Sequence, residues 1–179
     1  MTPNLPFHDL AQRHSGVTDA IGASYTEAAC VCLDRHHVSP VQFEIGTPEQ
    51  SLETLARWQA ASERALAAWA NDTDATESGA YGIALAAIEL AEGMVAVRRA
   101  ETRTGADYYV APSSADVEDL EGWRRLEISG VDRGDNSLLT QRLQQKVNQT
   151  LNGTSNLPAL AIVVGFKAKY VAIARADVL

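Results

Sequence analysis

Trp123-Arg124-Arg125-Leu126-Glu127-Ile128-Ser129-Gly130 combines a strand period with a carboxylate at its centre. Leu126 and Ile128 alternate with Arg125, Glu127 and Ser129, the pattern of a strand with one apolar and one polar face. Upstream, Met94 to Thr102 reads as a strand, Arg103-Thr104-Gly105-Ala106 as a hairpin connection, and Asp107 to Ala111 as the returning strand. Pro112 to Gly122 is polar and acidic, which predicts an exposed loop. Downstream, Asp135 to Leu151 reads as a helix with Leu139, Leu143, Val147 and Leu151 as its stripe, stopped by Asn152-Gly153. Pro158 to Phe166 and Tyr170 to Ala174 close the chain as strands. Tyr108 and Tyr109, and likewise Arg98 with Arg99 and Arg124 with Arg125, are adjacent on strands and so point to opposite faces.

The preceding half reads as mainly helical. Val17 to His37 carries an apolar face of Val17, Ile21, Tyr25, Ala28 and Cys32, with His36 and His37 in its last turn. Val41, Phe43 and Ile45 alternate with Gln42 and Glu44 as a half-buried strand. Thr47-Pro48-Glu49-Gln50 is a helix-start signal, so a second helix is expected to about Ala70 with Leu55, Trp58, Ser62, Ala65 and Trp69 on one side. A third, alanine-rich helix is expected from about Ala75 to Glu92, with Tyr81, Leu85 and Ile88 turned inward. The expectation is one α/β domain over residues 1–179.

With 179 residues, 46% hydrophobic and 21% charged, the chain has an ordinary globular composition. Its net charge of −8 argues against a surface that coats nucleic acid or anionic membrane throughout. The charge is uneven: residues 1–93 hold four basic and 13 acidic side chains, residues 94–179 hold 11 and 10. The first ten residues lack a basic segment followed by an apolar core, and no apolar run has the length of a membrane span. Cys30 and Cys32 lie two apart on a helix, facing different ways, so neither a mutual disulfide nor a structural zinc site is expected. Together these readings predict a cytoplasmic protein with no membrane association.

The chemistry-bearing residues lie in the second half. Asp107 begins one strand, Glu127 sits within its neighbour, and Glu77 opens the preceding helix. Carboxylates on adjacent strands can converge on a hard divalent cation such as Mg²⁺, which commonly takes one or two carboxylates plus substrate phosphate oxygens. Each residue also has a plain structural reading: Asp107 as a turn residue, Glu127 as a solvated strand residue, and Glu77 as a complement to the helix dipole.

The order helix, three strands, helix, strand, with acidic residues at these three places, resembles the PD-(D/E)xK nuclease-like superfamily, including RecB-type nuclease domains and Holliday-junction resolvases. The resemblance spans residues 76–177. It implies a restriction-endonuclease-like core preceded by an acidic, mainly helical extension over residues 1–75, arranged helix-strand-helix. By resemblance Asp107 and Glu127 are metal ligands and catalytic residues, with Mg²⁺ or Mn²⁺ as cofactor, and Glu77 matches an acidic residue on the preceding helix, for which Glu89 is a poorer match. Gln145 or Gln149 stands for a glutamine that RecB-type members carry on the following helix.

One departure matters: Ser129 occupies the place of the family's lysine. A serine hydroxyl carries no charge to stabilise developing negative charge on a phosphate. Lys146, flanking the stripe of the next helix, is the best substitute, ahead of Lys167 and Lys169. The resemblance therefore implies either a nuclease acting on DNA or RNA phosphodiesters, in defence or repair, or an inactive nuclease-like domain that engages a protein partner through its acidic N-terminal half.

Overall fold

The computed structural model describes residues 2–114, 122–153 and 155–176, so most of the expected Pro112–Gly122 loop lies outside the described residues. Seven strands form one mixed sheet: β1 (Val41–Gly46), β2 (Ser51–Ala56), β3 (Met94–Arg99), β4 (Tyr108–Pro112), β5 (Arg124–Val131), β6 (Ala159–Gly165) and β7 (Tyr170–Ala176). Their spatial order is β2-β1-β7-β6-β5-β4-β3. The helices are α1 (Asp19–Asp34), α2 (Glu63–Ala68), α3 (Asp72–Glu92) and α4 (Asn136–Leu151). Strands β3, β4 and β5 run antiparallel in sequence, and β6 then joins β5 in parallel after the α4 crossover. The expected order of helix, three strands, helix and strand is therefore present from α3 to β6.

Residue alternation puts the helices on opposite faces. Gly130 on β5 lies directly under α3, where a Cβ would come within 2.6 Å of the Thr76 carbonyl oxygen. Gly165 on β6, paired with Val131, instead lies under Leu139 of α4, 2.6 Å from where a Cβ would sit. Leu126, Ile128, Leu160, Ile162 and Val164 join α1 and α3 in the main core. Val131 and Val163 pack against Leu139 of α4.

The N-terminal part differs from the helix-strand-helix expectation. Residues 51–56 form a strand, and the helix expected from Thr47 to Ala70 is reduced to six residues, Glu63–Ala68. The cap signal is used for a hairpin turn: Thr47 Oγ1 accepts from the Glu49 and Gln50 amides at 3.3 and 3.1 Å. Pairing settles the outcome, because β2 zips against β1 from Ser51 to Ala56 and is bonded on its other side by the N-terminal arm. Helix α1 ends at Asp34, which leaves His36 and His37 beyond its last turn, and Ile21, expected on its apolar face, is exposed.

The arm reaches both edges of the sheet. The Leu5 amide donates to Leu55 of β2 at 3.0 Å, while the Gly16 amide donates to Ala96 of β3 at 2.9 Å. A Cβ at Gly16 would sit 2.5 Å from the Arg98 amide nitrogen, so only glycine admits this approach. Both edge strands are thereby partly capped by the same segment, a protection against edge-to-edge association. Because β1 also pairs in parallel with β7, the hairpin is an integral end of the sheet.

Candidate active site

Strand β4 pairs with β5 only from Tyr108 to Val110, opposite Leu126 to Arg124, while β5 continues to Val131. Asp107 stands where the ladder stops. Its amide donates to the Leu126 carbonyl at 2.8 Å, and its Oδ2 accepts from the Ile128 amide, also at 2.8 Å. The side chain thus continues the ladder by one step and sets its carboxylate beside Glu127. Tyr81, reaching across from α3, donates to Asp107 Oδ1 at 2.6 Å. Arg99, at the end of β3, donates to the Tyr81 hydroxyl at 3.1 Å and lies 3.5 Å from Asp107 Oδ1. Its guanidinium covers the Tyr81 and Tyr108 rings at 4.7 and 4.8 Å. Burial and the adjacent Asp107 push the Tyr81 hydroxyl well above its ordinary pKa, so it remains a proton donor.

Glu127 is buried at 4% exposure on the α4 face of β5. Lys146, from the middle of α4, donates to Glu127 Oε1 at 2.6 Å and to Gln149 Oε1 at 3.2 Å. Burial, followed by repulsion from Asp107, raises the Glu127 pKa, and the Lys146 ammonium opposes that rise. The two carboxylates and the lysine share a polar cavity of about 230 Å³. The divergence of β4 from β5, with α3 above and α4 below, produces this notch.

Ser129, two residues after Glu127 and on the same face, lines the cavity, and so does exposed Glu77 from the first turns of α3. Gln145 lies in a larger cleft that also borders Asp107 and Glu127. Glu89 is engaged elsewhere, held by Arg13 at 2.9 Å and by His14 at 3.2 Å. Lys167 and Lys169 sit at the β6–β7 turn, outside the residues that line the notch. Tyr81 and Arg99 are neighbours of the Asp107 carboxylate that the sequence reading did not assign to the site. The usable signal for Tyr81 was its position one helical turn after Glu77; the pairing of Arg99 with Tyr108 needed the β3–β4 register.

Among the described residues, no group of three or more His, Cys, Asp or Glu side chains is arranged to hold a metal ion. Within the notch Asp107 and Glu127 stand as the donor pair, while exposed Glu77 borders the same cavity without completing a group of three with them. Such a pair suits Mg²⁺ or Mn²⁺, whose remaining positions are commonly filled by water and substrate oxygens. Comparisons with protein-family models, curated proteins and solved structures find no match to this chain.

Proposed function

We propose that the protein is a divalent-metal-dependent phosphodiesterase of the PD-(D/E)xK nuclease-like type, acting on nucleic acid, with a restriction-endonuclease-like core from α3 to β7. The observation that carries this reading is the convergence of Asp107, Glu127 and Lys146 in one notch, with Lys146 Nζ at 2.6 Å from Glu127. It supplies an ammonium where Ser129 provides none. Asp107 and Glu127 would hold the ion, which would supply Lewis-acid polarisation of the phosphodiester. Tyr81 and the Ile128 amide fix the Asp107 carboxylate from two sides, which restrains rotation of its side chain. Lys146, steadied by Gln149, presents positive charge to a phosphate oxygen as negative charge accumulates there.

The test is hydrolysis of end-labelled DNA and RNA, single-stranded and duplex, with Mn²⁺ or Mg²⁺. Cleavage is expected from the unsubstituted chain and its loss, by a factor of about 10² or more, from Asp107→Asn. Metal-independent cleavage, or cleavage unaffected by Asp107→Asn, overturns the assignment.

A second reading, an inactive nuclease-like domain that contacts a protein partner, is favoured by one observation. Both Asp107 oxygens are already bonded, and Glu127 is closed by Lys146. That reading expects no cleavage and no rise in Tm on adding Mn²⁺; the first expects both.

A further inference from the structure

Each carboxylate of the donor pair already has a basic side chain against it. Lys146 Nζ lies 2.6 Å from Glu127 Oε1, and the Arg99 guanidinium lies 3.5 Å from Asp107 Oδ1. With both pairs formed, these four side chains carry no net charge to draw in a cation. Glu127 is buried, so its charge is balanced by the ammonium rather than by water. Lys146 is partly exposed and has a second acceptor in Gln149 Oε1 at 3.2 Å, one turn further along α4. Arg142, one turn before Lys146, is exposed and borders the cavity on the other side of Lys146 without lining the notch.

A divalent ion needs the oxygen that Lys146 holds. Mg²⁺ bonds a carboxylate oxygen at about 2.1 Å, so an ion on Glu127 Oε1 would stand within about 5 Å of Nζ. An ion on Oε2 would draw on the same single negative charge. Like charges that close, with little water between them, repel strongly. Resting on the phosphodiesterase reading, we propose that Lys146 is a displaceable counter-ion of Glu127, which gives way to the metal ion and thereby sets how tightly the free protein binds it. The four-carbon stem lets the ammonium leave Glu127 while keeping its bond to Gln149, which frees its charge for the substrate phosphate. The sign of the effect separates this role from a merely structural one. A lysine that only steadied the notch would, on removal, loosen the carboxylates and weaken metal binding; a competing lysine strengthens it on removal.

Mn²⁺ binding to the full chain without nucleic acid, read from the electron paramagnetic resonance signal of the free ion, tests this independently of cleavage. Lys146→Met, shown by circular dichroism to be folded, is expected to bind Mn²⁺ about tenfold more tightly than the unsubstituted chain. Adding Asp107→Asn to that variant should abolish the gain, which locates the ion in the notch. Arg142→Met removes an equal charge one turn away and is expected to change the affinity by less than about twofold, because that charge is exposed and screened. Should Lys146→Met fail to fold, Lys146→Gln, with an uncharged donor for Glu127, is expected to gain about threefold. Unchanged or weaker binding in the folded Lys146 variant, or an equal gain from Arg142→Met, overturns the inference. Tighter binding with no cleavage by the unsubstituted chain sinks the phosphodiesterase chemistry alone. Metal-dependent cleavage without the gain sinks the counter-ion role alone, and no Mn²⁺ binding by any variant sinks both.

Discussion

The face of the sheet beneath α1 and α3 is closed by aliphatic side chains, whereas the face beneath α4 is closed over only part of its area. On the first, α1 and α3 approach so nearly that a Cβ on Gly79 would lie 3.0 Å from the Ala29 Cα. Ile83, Leu85 and Ile88 fill the space against Leu126, Ile128 and Ile162 without exposure beyond a few per cent. On the second, the apolar contact comes down to Val131, Leu139 and Val163, joined by half-buried Leu143, Ala168 and Tyr170. The rest of the space under α4 holds buried Arg125, which donates to the Thr104 and Thr150 carbonyls, together with Glu127, Lys146 and the larger cleft that borders Gln145. The dense face supplies stability, and the sparse face keeps water and charge within reach of a ligand. Functional groups are commonly drawn to such regions of lower local stability.

Truncating one leucine on each face gives the largest measurable contrast. Leu85→Ala removes a fully buried side chain from tightly packed surroundings and is expected to cost about 3 kcal/mol. Leu143→Ala, at the half-buried seam of α4, is expected to cost about 1 kcal/mol. Urea unfolding measures both. Similar losses would mean that the two faces contribute equally, which would break the comparison.

Lys146→Met probes the sparse face next. Glu127 then stays buried without its ammonium, and the loss at neutral pH is expected to be about 2 kcal/mol, below the range for fully buried pairs because Lys146 is partly exposed. Because the Glu127 pKa is raised in the fold, its contribution to stability is present below the unfolded-state pKa and lost as pH rises through the folded one. Removing the lysine enlarges that loss. Thermal unfolding from pH 4 to 8 should show the variant and the parent converging in acid and separating as pH rises. A constant gap would place the effect of Lys146 in packing alone.

The strands and helices of the second half were legible because each strand alternates and each helix keeps its stripe, as in Leu126-Glu127-Ile128 and Leu139-Leu143-Val147. Asp107 and Glu127 could be named for the same reason, since strand order fixes which strand positions become neighbours, whereas Lys146 was named only as the substitute for the lysine that the resemblance expects at Ser129. The hairpin at Thr47–Gln50 was not legible. Its Thr-Pro-Glu-Gln sequence suits a helix start as well as a turn, and only pairing with β1 and the N-terminal arm decides between them. Glu127 also reads locally as solvated; its burial comes from α4, whose docking no strand pattern reveals. Tyr81 was expected to be inward-facing, and its ring is indeed partly buried, but its hydroxyl serves the opposite layer.

The dense face has its own buried polar group, His14. Its Nδ1 accepts from the Ala96 amide at 2.9 Å, which leaves Nε2 to donate to Glu89 at 3.2 Å. Burial lowers the His14 pKa against the opposing pull of Glu89. The stabilisation is therefore complete above the unfolded-state value near 6.5 and is lost as pH falls toward the folded value. Protonation of Nδ1 removes the acceptor that holds Ala96. Hydrogen exchange at the Ala96 amide, corrected for its intrinsic pH dependence, is expected to quicken roughly fivefold between pH 7 and 5, matching a hydrogen bond of about 1 kcal/mol. Exchange within β6, between the two faces, should stay unchanged; uniform acceleration would point to global loosening.

Tyr81 joins the faces, and the smallest expected effect is the most specific test of that junction. Its ring stacks on Tyr25 at 5.1 Å and meets Tyr108 edge-on at 6.0 Å, both on the dense side. Its hydroxyl donates to Asp107 in the notch and accepts from Arg99. Tyr81→Phe keeps the ring packing and removes only the bridge, so a stability loss of about 1 kcal/mol is expected. Arg99→Gln removes the other donor near the same carboxylate. Since both act on Asp107 Oδ1 and on each other, their effects should not add, with a coupling of about 0.5–1 kcal/mol in a double-mutant cycle. Tyr81→Phe combined with Leu143→Ala shares no partner in the structure and should be additive. If instead the Tyr81–Arg99 pair were additive, Asp107 would be held by the Ile128 amide alone, and the dense face would contribute nothing to the geometry of the notch.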